Sequence, residues 1–103
     1  MSISELAQVN KGARIAPDAE VGPFAIVEDG VELGPKVKVW PHAYICSGTT
    51  IGEGTQVHMG AVVGHVPQDL AFENKKTYVN IGKRTILREY VTIHRGTKEG
   101  TTT

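Results

Sequence analysis

The sequence predicts an all-β fold, a single-stranded parallel β-helix of hexapeptide repeats with about five coils. Three observations predict it: aliphatic residues at every sixth position, small or β-branched residues four positions after them, and glycine recurring directly after them. A short, fixed period of this kind is typical of a solenoid, in which each repeat packs against its neighbours.

The aliphatic series is the strongest of these signals. Its members are Val9, Ile15, Val21, Val27, Leu33, Val39, Ile45, Ile51, Val57 and Val63, and then Ile81, Leu87 and Ile93. Because six is a multiple of two, the period fits short strands that are separated by regular turns.

The second and third signals describe the rest of the repeat. The small or β-branched residues are Ala13, Ala19, Ala25, Val31, Val37, Ala43, Thr49, Thr55, Ala61, Thr85, Val91 and Thr97. With the aliphatic residues they give each strand two inward positions, and three strands close a triangular coil of 18 residues that rises by roughly 4.8 Å. The glycines are Gly22, Gly34, Gly52, Gly64 and Gly82. They suit corners that need a positive φ or a close backbone approach.

The composition indicates one modest domain, residues 1–103, in which 11 basic side chains balance 11 acidic ones. This balance demands no strongly charged partner, and the few aromatic residues with no basic stripe argue against nucleic-acid binding. The single Cys46 cannot form an internal disulfide, which favours a reducing compartment. The sequence has neither a long apolar run nor a secretory signal, so we expect a cytoplasmic protein without a membrane span.

The repeat fails between Val63 and Ile81, where the inward positions would fall on Asp69 and Lys75. Burying two unpaired charges in a narrow aliphatic core would cost several kcal/mol. We therefore expect residues 64–80 to form a loop that protrudes from the coil. Loops on a rigid scaffold often carry binding groups, although a functionless insertion would give the same pattern.

The four histidines are potential metal ligands. His58 and His94 each follow a repeat residue and lie 36 residues apart, so the period predicts that they share one corner, two coils apart, with Trp40 one coil before His58. A separation of roughly 10 Å is too large for one zinc ion, whose ligands lie at roughly 2.0–2.1 Å. We expect no metal site and no cofactor.

Three stretches carry a resemblance to a known family. They are Gly64-His65-Val66-Pro67-Gln68-Asp69-Leu70, then Ile81-Gly82 with Arg88-Glu89, and then Val91-Thr92-Ile93-His94-Arg95-Gly96-Thr97. In these stretches the chain resembles the acyl-carrier-protein:UDP-N-acetylglucosamine O-acyltransferases of lipid A synthesis. The resemblance covers essentially the whole chain but only the N-terminal part of the family's length. It implies a left-handed coil, a hand that the repeat pattern itself does not give.

The resemblance also implies a function. The expected protein is a homotrimer that moves a 3-hydroxyacyl group from acyl carrier protein to the 3-hydroxyl of UDP-N-acetylglucosamine, the first step of lipid A synthesis. By this resemblance Gln68 and Asp69 bind substrate, a task that suits an amide and a carboxylate because both can hold hydroxyls. His65, His94 and Arg95 are expected to support the site.

The general-base histidine of the family is expected beyond Thr103, so no catalytic residue is expected in this chain. Without a cap, the last coil would expose strand edges and aliphatic core, which predicts the N-terminal piece of a longer protein. Ala71 stands where the family often has lysine. Two alternatives stay open: a catalytically inactive, structural or trimer-forming β-helix, and a related transferase that acts on a 3-amino sugar.

Overall fold

The structure, a computed structural model, describes residues 2–65, 78–96 and 102, and within these ranges every regular element is a strand. In chain order the strands are β1 (Ser2–Ile3), β2 (Gln8–Val9), β3 (Arg14–Ile15), β4 (Glu20–Val21), β5 (Ile26–Val27), β6 (Glu32–Leu33), β7 (Lys38–Val39), β8 (Tyr44–Ile45), β9 (Thr49–Ile51), β10 (Gln56–Val57), β11 (Val62–His65), β12 (Val79–Ile81), β13 (Ile86–Leu87) and β14 (Thr92–His94). Most strands are two residues long because a turn recurs every six residues.

The strands form three parallel sheets. Sheet 1 contains β1, β4, β7, β10 and β13, sheet 2 contains β2, β5, β8, β11 and β14, and sheet 3 contains β3, β6, β9 and β12. Consecutive strands belong to different sheets, so the chain turns a corner after each strand and three strands complete one coil. The described residues thus form between four and five coils, and the predicted all-β, parallel β-helix is confirmed.

The pairing register shows how the coil continues past the interrupted repeat. In the earlier coils, partners lie 18 residues apart, as Gln56 does from Lys38, whereas across the interruption Gln56 pairs with Ile86, 30 residues away. The difference of twelve residues equals the length of the segment 66–77, which lies outside the described residues. Strand β11 reaches His65 and β12 begins at Val79. Regular strand structure therefore extends into both ends of the range 64–80 that the sequence predicts as a loop.

The predicted inward positions form the core. Ile45, Ile51, Val57 and Val63 are at most 1% exposed, and the small residues between them are equally buried. A buried hydroxyl needs a hydrogen-bond partner. Thr55 finds two, because its Oγ1 donates to the carbonyl oxygen of Gly82 over 2.8 Å and accepts the backbone N–H of Thr85 over 3.2 Å.

The corners differ from the prediction in one respect. A positive φ, between 59° and 84°, recurs at every sixth residue along the middle coils, at Phe24, Gly30, Lys36, His42, Gly48, Gly54 and Gly60. Among the predicted corner glycines only Gly64 has a positive φ. At Gly22, Gly34 and Gly52 a Cβ atom would instead lie 2.9–3.0 Å from backbone atoms of the following coil. Close approach between coils explains glycine at those three positions.

Candidate functional site

The candidate site lies at the corner that follows β11 and β14 in sheet 2. The two strands pair in register up to Val63 and Ile93, and the register then shifts so that His65 pairs with His94. The extra residue is Gly64, which has a φ of 85°. A β-bulge of this kind redirects the side chain that follows it, and bulges are frequent next to functional sites.

The bulge brings together the three residues that were expected to support the site. The imidazole rings of His65 and His94 have centroids 6.3 Å apart and planes inclined by 50°. The backbone N–H of Arg95 donates to the carbonyl oxygen of His65 over 3.0 Å. His65 is exposed, and His94 and Arg95 are half-buried, so the cluster is open to solvent on one side.

The two predicted substrate-binding residues, Gln68 and Asp69, lie outside the described residues. In the sequence they follow His65 by three and four residues.

A cleft of about 550 Å³ runs along the outer face of sheet 2, on the N-terminal side of this cluster. Its walls include Glu28, Tyr44, Cys46, Val62, His65 and Arg95. Glu28 follows β5 and Arg95 follows β14, and two further strands lie between these two. The cleft therefore extends roughly 14 Å along the coil axis, three strand spacings. Its volume is typical of a small-molecule site.

Glu28 holds a fixed position at the lower end of the cleft. Its carboxylate accepts the phenol hydrogen of Tyr44 over 2.7 Å and the backbone N–H of Ser47 over 2.9 Å. The hydrogen bond to Glu28 raises the pKa of Tyr44, and burial and the charge of Glu28 raise it further. Tyr44 consequently stays protonated at neutral pH and continues to donate. Each carboxylate oxygen of Glu28 can accept a further hydrogen bond.

Cys46 lies in the middle of the cleft as a neutral thiol. Burial raises its pKa to about 11, the nearby charge of Glu28 raises it as well, and Arg95 acts in the opposite direction. Because the thiolate is the nucleophilic form of cysteine, Cys46 contributes a small uncharged surface at neutral pH.

The prediction that His58 and His94 share a corner is wrong. His58 follows β10 in sheet 1, where its ring stacks on Trp40 at 5.2 Å and its Nδ1 lies 3.8 Å from Oε2 of Glu89. The prediction assumed that paired residues stay 18 apart, whereas across the interruption they lie 30 apart, as Val62 does from Thr92. His94 therefore lies above His65. The expected position of Trp40, one coil before His58, is confirmed.

Within the described ranges, no three His, Cys, Asp or Glu side chains converge on a common point where they could hold a metal ion. The same ranges contain no helix long and apolar enough to cross a membrane.

Glu28 and Tyr44 were not among the residues that the sequence predicted for the site. The available signal was the coil period, since Glu28, Cys46 and Gly64 follow one another at intervals of 18 residues and therefore stack in one column. The hydrogen bond from Tyr44 depends on side-chain conformation, which the period does not reveal.

The chain is similar in sequence and in fold to known transferases. Residues 30–65 match the bacterial transferase hexapeptide family, described by six repeats. An acyl-[acyl-carrier-protein]–UDP-N-acetylglucosamine O-acyltransferase of Sulfurihydrogenibium sp. is 56% identical over 97 residues, which are 94% of this chain and 36% of that protein. The enzyme of the same name from Trichlorobacter lovleyi is 57% identical over 100 residues, 97% of this chain and 38% of its own.

The chain is homologous to these O-acyltransferases. Solved structures agree: LpxA of Bacteroides fragilis, a UDP-N-acetylglucosamine acyltransferase, matches with a TM-score of 0.90 and 34% identity over 97% of this chain and 41% of its own. LpxA of Moraxella catarrhalis matches with a TM-score of 0.92 and 37% identity over 94% of this chain and 38% of its own. These structures are left-handed β-helices, so the expected hand is confirmed.

The homology covers nearly all of this chain but a minor part of its relatives. The chain spans only 36–38% of the length of the two curated relatives. What is established is the similarity of this chain to one part of these O-acyltransferases, and the fold of that shared part.

Proposed function

We propose that the protein containing this chain transfers a 3-hydroxyacyl group from acyl carrier protein to the 3-hydroxyl of UDP-N-acetylglucosamine, the first step of lipid A synthesis. The observation that supports this most is the 56–57% identity, over nearly the whole chain, to relatives named as O-acyltransferases acting between these two partners. The bulge at Gly64 adds support, because it gathers His65, His94 and Arg95 at the end of the strand after which Gln68 and Asp69 follow in the sequence.

In the proposed reaction a histidine located beyond Thr103 removes the proton of the sugar hydroxyl. The sugar oxygen attacks the thioester carbonyl, and the carrier thiol leaves with a proton as the ester forms. Gln68 and Asp69 hold substrate hydroxyls, since the amide and carboxylate can accept their hydrogens. His65, His94 and Arg95 contribute hydrogen-bond donors and a positive charge to the same site.

The proposal extends to assembly and location. The active protein is a homotrimer in which the site lies between neighbouring β-helices, and it works in the cytoplasm, where the unpaired thiol of Cys46 stays reduced. Sedimentation of the full-length protein tests the assembly, and a monomer with full transfer activity would contradict it.

Asp69→Ala in the full-length protein tests the role of the segment. We expect a loss of at least about 100-fold in kcat/KM for acyl transfer to UDP-N-acetylglucosamine, because a carboxylate that holds a substrate hydroxyl is removed. The matched control is Glu53→Ala, which removes an exposed carboxylate at a corner of sheet 3, and we expect its kinetics to equal the wild type.

Two outcomes would contradict the proposal. Unchanged kinetics of Asp69→Ala would show that segment 66–77 is an insertion without a role in binding. Absence of transfer by the wild-type protein would overturn the function itself and leave a structural, trimer-forming β-helix.

Transfer to a 3-amino sugar is tested in the same assay by offering a UDP-sugar with an amine at position 3. The perosamine N-acetyltransferase of Caulobacter crescentus is 20% identical with a TM-score of 0.56, which reflects the fold alone. It gives the amino-sugar alternative no support.

A further inference from the structure

Glu28 stands in a column of the coil that otherwise carries no charge up to the site. One and two coils further on, the same position is occupied by Cys46 and Gly64. The carboxylate of Glu28 is half-buried, and two donors, Tyr44 and Ser47, fix it at the wall of the cleft. Holding a charged group in this way costs desolvation free energy. A hydrogen-bonded link between two coils does not need a charged group.

We propose that Glu28 is a specificity-determining residue of the candidate site, whose carboxylate accepts a hydrogen bond from a hydroxyl or secondary amide of the bound substrate. This inference rests on the proposed acyltransferase function. It adds a contact directly after β5, two strands away from β11 and the bulge, to a site for which the sequence predicted residues only between His65 and Arg95.

The chemistry of the cleft selects the ligand group. An ionised carboxylate only accepts hydrogen bonds, so the group facing Glu28 must be a donor. The middle of the cleft is uncharged, formed by the thiol of Cys46 and by Val62, and Arg95 lies at the upper end. A ligand with hydroxyl or amide hydrogens at one end and an anionic or carbonyl group roughly 14 Å away fits this order.

Both proposed substrates carry a group that can donate a hydrogen bond to Glu28. UDP-N-acetylglucosamine has sugar hydroxyls and an acetamido N–H. The acyl carrier protein substrate has the 3-hydroxyl of its acyl chain. Steady-state kinetics with each substrate varied in turn distinguish the two sources, because only the KM of the substrate that faces Glu28 will change.

The alternative is that Glu28 merely ties two coils together. Glu28→Gln separates the two roles, because the amide has the shape of the carboxylate. Its oxygen can still accept from Ser47, and its NH₂ group can donate to the phenol oxygen of Tyr44. The variant therefore keeps both ties and removes the negative charge.

For Glu28→Gln in the full-length protein we expect the KM of one substrate to rise about tenfold, since a charge-assisted hydrogen bond is replaced by a neutral one. The melting temperature and kcat should equal those of the wild type. The matched control is Glu32→Gln, an exposed glutamate of sheet 3 that pairs with Arg14, and its KM values should not change.

Unchanged KM values for both substrates in Glu28→Gln, with an active wild type, would overturn the inference. A lower melting temperature with unchanged KM values would also overturn it, because that result shows a structural tie only. If the wild type transfers no acyl group, the proposed function has failed, and that failure is distinct from either result.

Discussion

At the scale of single residues, Gly64 is the position where the site depends most on the absence of a side chain. Its φ of 85° belongs to the left-handed region, and a Cβ atom there would overlap Oγ1 of the buried Thr49. Both features follow from the bulge that directs His65 towards His94. The local backbone and the cluster are therefore coupled through one glycine.

Gly64→Ala should lower the free energy of unfolding by about 2–4 kcal/mol, from about 1–2 kcal/mol for the left-handed backbone and the rest for the overlap with Thr49. Gly30→Ala is the matched control, because Gly30 has a φ of 75° and no atom within 4 Å of the added Cβ. Chemical denaturation of both variants gives the difference. Equal losses would show that the bulge relaxes around the new methyl group.

The residues of the site were predictable to different degrees. His65, His94 and Arg95 could be singled out by resemblance, and the structure brings them together. Glu28 was not predicted, because its role depends on a side chain reaching from one coil to the next. A single sequence shows which residues share a column, but it does not show which rotamers make them touch.

At the scale of the strand, the two faces have opposite requirements. Inward residues such as Ile51 on β9 are almost fully buried, at 1% exposure. Asn80, which points outward on the neighbouring strand β12, is exposed. The alternation follows from the period of two within each strand. Which residues of each strand face inward could be predicted from the positions of Val, Ile, Leu and Ala.

Ile51→Asp should abolish folding or reduce the free energy of unfolding by several kcal/mol, because an unpaired carboxylate would enter the aliphatic core. Asn80→Asp adds the same charge to the outer face of the neighbouring strand β12, and we expect it to change stability by less than about 0.5 kcal/mol. Circular dichroism during denaturation compares the two. A stable Ile51→Asp variant would mean that the assigned register is wrong.

The corners were less predictable than the strands. Phe24, Lys36 and His42 adopt a positive φ, although residues with a Cβ disfavour that region. The closed coil imposes the turn at every sixth residue whatever side chain is present. The sequence therefore predicted the glycines that allow neighbouring coils to approach each other. The positions of positive φ follow from the geometry of the closed coil and were not predicted.

At the scale of the whole molecule, the interrupted repeat explains both a success and an error. Segment 66–77 is twelve residues, two full repeats, so the count of six stays in phase from Val63 to Ile81. The unbroken six-residue period predicted the inward residues after the interruption correctly. It also led to the wrong prediction that His58 and His94 share a corner, because the period does not show which of the three sheets a later strand joins.

Deletion of residues 66–77 should leave the β-helix intact and abolish acyl transfer. The join places His65 next to Tyr78, so that Val63 and Ile81 become six residues apart and the repeat is uninterrupted. Circular dichroism and sedimentation should match the wild type, while the transfer assay should show no product. A control with twelve Gly and Ser residues in place of the segment should behave in the same way.

If the deletion variant does not fold, the coil needs residues 66–77. If the variant is active, the reaction does not need them. Either result would contradict the separation of scaffold and binding segment. Both variants keep His65, His94 and Arg95, so the comparison isolates the contribution of Gln68, Asp69 and their neighbours.

The pairing of β11 with β14 has a consequence for how such a coil can acquire a site. If residues 69 and 75 were apolar and entered the core, the two extra strands would rotate everything after them by two thirds of a turn, and His94 would face a different side of the prism from His65. The charges of Asp69 and Lys75 oppose that alternative winding. The chemical character of two positions thus selects between two directions for the last third of the chain.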